Sequence, residues 1–328
     1  MQTSDKIYDL IIIGGGPGGY TAALYAVRAG LKTLVIEMFS PGGQMAETDK
    51  IDNYPGFNEG IVGFDLAEKM AAGAESFGAE TIFEEVREVA LTEEVISSVS
   101  ETKTAESLNR KQIITDRAIY EAEAVILATG AKPKFLGLKG EDMLRSRGIA
   151  YCAACDGMFY KGKTVAVIGS GNSAASDAVL LSNICSHVYF IHRHDMPNAE
   201  QVYLSVLENA LNVEMLPNSE VTELFYDDKL TGLSVTDTIS GTAYRINCDA
   251  AFIAIGRKPS TQLFTGQLDL TVQGYIMAGE DTKTNIPGVF AVGDVRTKPV
   301  RQIITAAADG AVAAKFAEEY IFSKRIKH

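Results

Sequence analysis

Twice along this chain an apolar strand runs directly into a glycine turn and out into a helix, and no other feature restricts the available folds as strongly. In the first instance Tyr8 to Ile13 is followed at once by GGGPGG and then by TAALYAVRAG, closed by Gly30. Gly14, Gly16 and Gly19 stand in the spacing that permits a tight turn, close approach of a pyrophosphate to backbone N–H groups, and close helix-on-strand packing. The next strand, TLVIE, ends at Glu37, placed to accept hydrogen bonds from a ribose. The device returns from Thr164 as TVAVIGSGNSAASDAVLLSNICSHVYFIHRH, with Gly169, Gly171 and Ala174 at the turn. Gly14 and Glu37 are 23 positions apart, as are Gly169 and His192. Equal spacing predicts two βαβ units of one design, hence two dinucleotide sites.

A chain of 328 residues has the length of roughly two domains, each able to bury its own core. Two echoing phrases, AVILATGAKP ending at Pro133 and AFIAIGRKP ending at Pro259, each join an apolar strand, a glycine and a Lys-Pro break. Paired breaks mark two crossings between domains. The expected fold is therefore α/β, two Rossmann-like three-layer dinucleotide-binding domains with one inserted in the other. The outer domain would comprise residues 1–132 and 257–328 and the inserted one residues 133–256. Between the halves of the outer domain, TIFEEVREVALTEEVISSVS reads as antiparallel strands serving as scaffold.

The net charge of -12 and the lack of a basic stripe argue against nucleic acid as a partner. No run approaches the roughly 20 apolar residues of a membrane span, and the first residues lack a basic leader with an apolar core, so the chain reads as cytoplasmic. From Lys132 to Lys163 seven basic residues face three acids, either a solvated loop or a docking surface for an acidic partner. The same stretch holds two of the four cysteines, in YCAACDG. Cys152 and Cys155 at this spacing can ligate zinc, close a loop, or cycle between dithiol and disulfide. A reducing cytosol disfavours a structural staple. Cys185 and Cys248 stand apart and read as small buried hydrophobes.

Taken with GGQ at 42–44, CAACDG, GSGNSA and GVFAVGDV at 288–295, the sequence resembles the low-molecular-weight thioredoxin reductases of bacteria over nearly its whole length. That resemblance implies an FAD-containing homodimer whose inserted pyridine-nucleotide domain carries the redox-active cysteines. It maps Gly14, Gly16 and Gly19 onto the FAD pyrophosphate turn, Glu37 onto the ribose contact, and Asp294 onto the acid holding the ribityl chain. Gln44 and Asn53 correspond to residues lining the flavin, although both residue types also suit ordinary turns. Arg301, Gln302 and Ile303 correspond to the segment beside the isoalloxazine. Zinc would want about four ligands, and neither a second CxxC nor a ligand-spaced set of histidines is present, so no metal is expected. By resemblance Cys155 faces the flavin, Cys152 attacks the substrate disulfide, and Asp156 protonates a leaving thiolate, a role compatible with that of a helix N-cap. The implied reaction passes two electrons from a donor through FAD to the cysteine pair and on to thioredoxin. The family rotates the inserted domain between its two tasks, and the Lys-Pro crossings at 132–133 and 258–259 are candidate hinges.

One motif departs from the family. At the end of the second Rossmann strand the family typically writes HRRxxxR, whose arginines pair with the 2′-phosphate of NADPH; this chain has HRHDMPN. Arg193 remains, but His194 and Asn198 replace the other two, removing most of the charge complementarity to a dianionic phosphate. Three donors stay open: NADPH held through Arg193, NADH, or a protein such as ferredoxin with the nucleotide site vestigial. The lost arginines favour the third. Two alternative functions also stand, reduction of another small disulfide protein and a non-catalytic flavin and dithiol sensor.

Overall fold

The computed structural model describes residues 2–92 and 110–326. The chain forms two compact units, one made of residues 1–132 and 258–328, the other of residues 133–257. Arg257 therefore goes with the inserted unit.

In chain order the first unit begins with β1 (Gln2–Ile13), α1 (Pro17–Arg28), β2 (Thr33–Glu37), α2 (Gly63–Glu75), β3 (Glu80–Phe83), β4 (Val86–Ala90), β5 (Lys111–Thr115) and β6 (Ala118–Leu127). The chain leaves this unit through β7 (Ala131–Pro133). The second unit runs through β8 (Ile149–Ala150), α3 (Ala153–Asp156), β9 (Thr164–Ile168), α4 (Asn172–Ser182), β10 (His187–Ile191), α5 (Gln201–Asn209), β11 (Val213–Leu216), β12 (Ser219–Tyr226), β13 (Leu230–Asp237), β14 (Ala243–Asn247) and β15 (Ala250–Ile253). The return is through β16 (Arg257–Pro259), followed by β17 (Val289–Ala291) and α6 (Ile303–Ile326).

The sheet of the first unit has the order β3-β2-β1-β6-β5-β4. β1 lies parallel to both β2 and β6, and β17 takes the edge of β6 beyond the stretch that β5 covers. Because both faces of a parallel sheet are covered, its strands read as nearly continuous apolar runs. Ile11 and Ile13 enter one core with Leu34, Val125 and Phe264, while Leu10 and Ile12 enter the other with the alanines of α1 and α6. Those alanines matter for approach distance, since small side chains let α6 lie directly on α1. Of the expected antiparallel strands, β4 pairs antiparallel with β5, but β3 is a parallel edge strand on β2. Residues 93–100 of that stretch lie outside the described residues.

The second unit repeats the architecture with the all-parallel order β11-β10-β9-β15-β8 and adds the antiparallel sheet β12-β13-β14. Val165 and Val167 face a core shared with α4, and Ala166 and Ile168 face the core under the antiparallel sheet. The two crossings are not independent loops: β7 and β16 pair as a two-stranded ribbon, entered from Gly130 and from Gly256, both with positive φ. Among the described residues no helix is long and apolar enough to cross a membrane.

Candidate active site

The first glycine turn is built from close backbone contacts. Gly14 has a φ of 105°, and a Cβ there would fall 2.5 Å from the carbonyl oxygen of Ala128. One on Gly19 would fall 2.0 Å from the Gly14 carbonyl oxygen. Gly16 differs, because a Cβ on it would meet no protein atom within 4 Å. Its missing side chain leaves open space over the N-terminus of α1, where Pro17 opens the helix and no acidic residue occupies the first turn. Free N–H groups and the positive end of the helix dipole meet in that space, which fits a dinucleotide pyrophosphate. Glu37 is already engaged: one carboxylate oxygen accepts the Gly15 N–H at 2.5 Å and the other the Met38 N–H at 2.8 Å. Each oxygen keeps a further lone pair, so the carboxylate can still accept from a ribose.

Several expected flavin-lining residues come together in the same unit. Asn53 donates from its side-chain amide to Gln302 Oε1 at 3.0 Å, joining the 52–58 loop to the start of α6. That loop borders an open surface depression of about 460 Å³. Gln44, in a 3-10 turn spanning Gly43–Glu47, donates to the Ala131 carbonyl at 2.7 Å. Arg301 stacks over Tyr275 with its guanidinium carbon 4.3 Å from the ring centroid, and Ile303 is the first residue of α6. Asp294 sits half-buried in the 3-10 turn Gly293–Val295 that follows β17.

That turn has an anchor which the sequence reading passed over. The Gly293 N–H donates to Asp309 of α6 at 2.8 Å, and Asp309 also receives Arg296 through two contacts, 2.8 and 2.7 Å, and Lys298 at 2.8 Å. Arg296 and Lys298 hold the Asp309 carboxyl below the usual carboxylate range, outweighing the opposing effect of burial, the largest single influence on it. The available signal was DVRTKP directly after Gly293, plus one acid inside an alanine-rich helix.

In the second unit Cys152 and Cys155 form a disulfide, their Cα atoms 5.3 Å apart across the single turn of α3. Cys152 is the N-cap of that turn, and its carbonyl accepts the N–H groups of Cys155 and Asp156. Both cysteines are half-buried, which keeps the sulfurs approachable. Gly157 presses the segment onto α4, since a Cβ there would lie 3.1 Å from Leu181. Asp156 closes α3 and occupies the N-cap position of the next 3-10 turn, but its side chain makes no capping hydrogen bond. Ahead of the pair, Tyr151 donates its hydroxyl to Glu141 at 2.8 Å, and Glu141 gathers the N–H groups of Leu136, Gly137 and Leu138. Along the flanking stretch of chain, Lys134, Lys139, Arg147, Lys161 and Lys163 are exposed, as are Phe135, Met143, Met158 and Phe159. Burial pushes the thiol of Cys185 up to about 11 and that of Cys248 up to about 12, so both stay protonated and unreactive near neutral pH.

The second glycine turn reproduces the first. Gly169 donates to Ile191 as Gly14 donates to Ile36, which puts His192 in the place of Glu37. Gly171, like Gly16, has no atom within 4 Å of a would-be Cβ, and Ala174 is buried beside Gly169. The strand end is poorly equipped for a phosphate. His192 is buried, its Nδ1 2.7 Å from the His194 carbonyl oxygen, and burial lowers its pKa. Arg193 is exposed and paired with Glu220 at 2.9 Å, and His194 and Asn198 bring exposed side chains without a fixed charge.

Two strand-turn-helix cradles, one of them followed by an acid at the end of the next strand, together with a cysteine pair bonded across one helical turn, define a dinucleotide-binding disulfide oxidoreductase. Residues 8–310 match the family model described as pyridine nucleotide-disulphide oxidoreductase. Thioredoxin reductase of Listeria monocytogenes is 40% identical over 322 residues, 98% of this chain and 96% of the relative. That of Bacillus subtilis is 39% identical over 321 residues, with the same shares. The crystal structure of thioredoxin reductase from Streptococcus pyogenes superposes with a TM-score of 0.85 at 36% identity, covering 98% of this chain and 100% of that one. The chain belongs to the pyridine nucleotide-disulphide oxidoreductase family, and within it to the low-molecular-weight thioredoxin reductases, flavin-dependent enzymes that act on disulfides.

Proposed function

We propose that this protein reduces thioredoxin by dithiol exchange at Cys152 and Cys155, with FAD held by the first unit and with electrons supplied by a donor other than NADPH. The observation that carries the reading is the disulfide across one helical turn, half-buried on a unit of its own. Gly14, Gly16 and Gly19 would receive the FAD pyrophosphate, Glu37 the ribose and Asp294 the ribityl chain; Gln44, Asn53 and Arg301 to Ile303 would line the ring. When bound, FAD supplies the two-electron chemistry that returns the pair to its dithiol form.

Cys152, as thiolate, attacks one sulfur of the substrate disulfide; that S–S bond breaks and the other substrate sulfur leaves as a thiolate, taking a proton from Asp156. Cys155 then attacks Cys152 within the mixed disulfide, restoring the Cys152–Cys155 bond and releasing the second substrate thiolate. The exposed basic and apolar residues that flank the pair in sequence suit an acidic protein substrate. Alternation between donor and substrate would turn on the β7–β16 ribbon, where the chain passes between the units in both directions. A homodimer acting in the cytoplasm completes the reading, and sedimentation analysis checks the dimer.

The donor assignment rests on the second cradle. Arg193 is engaged by Glu220, and neither His194 nor Asn198 can replace a guanidinium fork. A 2′-phosphate would gain little there, whereas a protein donor such as ferredoxin needs none of these groups. Stopped-flow bleaching of the flavin with NADPH, NADH and reduced ferredoxin decides the matter: ferredoxin should bleach fastest, and rapid bleaching by micromolar NADPH would overturn the donor assignment. Multiple turnover of thioredoxin under the effective donor should vanish in Cys152→Ser.

A further inference from the structure

Asp309, Arg296 and Lys298 form a buried charged cluster in the first unit, their side chains 9%, 3% and 4% exposed. Burying charge is costly and is tolerated only with dense pairing. Here one carboxylate faces two cations, leaving one positive charge in excess within the cluster. The other acids acting on Arg296, Glu280 and Asp281, lie toward solvent, and Asp281 is itself paired with Lys283. The three side chains also touch the backbone that matters for the flavin reading. Asp309 holds the Gly293 N–H, next to Asp294. Arg296 donates to the carbonyls of Ala278 and Thr297. Lys298 donates to the Thr305 carbonyl at 3.1 Å, in the first turn of α6 that opens at Ile303.

We propose that Asp309 is a positioning residue which locks the Asp294 turn against α6, and that the ammonium of Lys298, the second cation on a single carboxylate, raises the reduction potential of the flavin. The inference rests on the FAD reading above. Electron density added to a ring is stabilised by a nearby cation in a medium of low dielectric, and the positive N-terminus of α6 acts in the same sense. Removing Lys298 while keeping Arg296 and Asp309 paired would leave the anchor of the turn intact and take away the excess charge.

The test is a dye-equilibrium measurement of the flavin midpoint potential on the whole purified protein, with FAD affinity measured by reconstitution of the stripped protein. Lys298→Met should bind FAD and show a more negative potential, and Lys298→Arg should restore the original value. Asp309→Asn should weaken FAD binding by at least about tenfold and shift the potential the opposite way, because two cations then stand unopposed. Should Asp309→Asn not fold, the lysine variants still decide. A yellow Lys298→Met protein with an unmoved potential overturns the inference and leaves the FAD reading standing; a colourless wild-type protein sinks the FAD reading itself.

Discussion

At the scale of the residue, the two kinds of glycine in the first turn call for opposite outcomes. Gly19 is required by the protein itself, because a Cβ would collide with the Gly14 carbonyl. Gly16 borders open space, so the ligand alone would exclude a side chain there. Gly16→Ala should therefore leave the stripped protein's melting temperature nearly unchanged while weakening FAD binding at least about tenfold, a loss of about 1.4 kcal/mol. Thermal melts with and without added FAD measure both. Asp177 offers a second residue-level test. Burial raises its carboxyl to about 6 despite the nearby charge of Arg257. Between its unfolded value, near 4, and 6 the folded state binds more protons, so stability falls as pH rises through that window and stays lowered above it. Asp177→Asn should stabilise the protein at pH 7.5 by on the order of 1–2 kcal/mol, with the difference closing as pH falls toward 4. Denaturant titrations at both pH values check the sign.

At the scale of the element, α6 is set against α1 by absences. A Cβ on Gly18 would lie 3.0 Å from the Ala306 carbonyl oxygen, and one on Gly310 would lie 2.2 Å from the Gly18 carbonyl oxygen and 2.9 Å from the Ala22 nitrogen. The obstacles are backbone atoms, which cannot rotate away. Gly310→Ala should thus move the helix, cost about 1–3 kcal/mol and loosen FAD as well, since Gly18 belongs to the dinucleotide turn. A change in FAD affinity absent from an Ala→Gly control at solvent-facing Ala308 would confirm that the packing of this helix shapes the site.

At the scale of the whole molecule, the inserted unit carries two core clusters, one on each face of its sheet, and among the described residues both are made of its own side chains. Residues 133–257 expressed alone should melt cooperatively, bind no flavin and retain the Cys152–Cys155 disulfide. Circular dichroism, absorbance near 450 nm and thiol titration before and after reduction test this; a molten, non-cooperative product would show that the unit depends on its host.

The periodic and local features were open to reading in the linear text. Strand, turn and helix follow one another at both cradles because the tight turn, the crowded contacts and the N-terminal dipole all lie within some 25 residues, where chain order and spatial order coincide. The Cys152–Cys155 motif is local in the same way. What lay hidden depended on distant segments meeting: Glu220 taking Arg193, Asn53 reaching Gln302, β3 pairing parallel instead of antiparallel, and Asp309 gathering Arg296, Lys298 and Gly293. A charge in a sequence declares its sign but not its partner, because partnership is decided by the folding of the sheet and the seating of α6, and it is partnership that sets whether an arginine is free for a phosphate or an aspartate holds a turn in place.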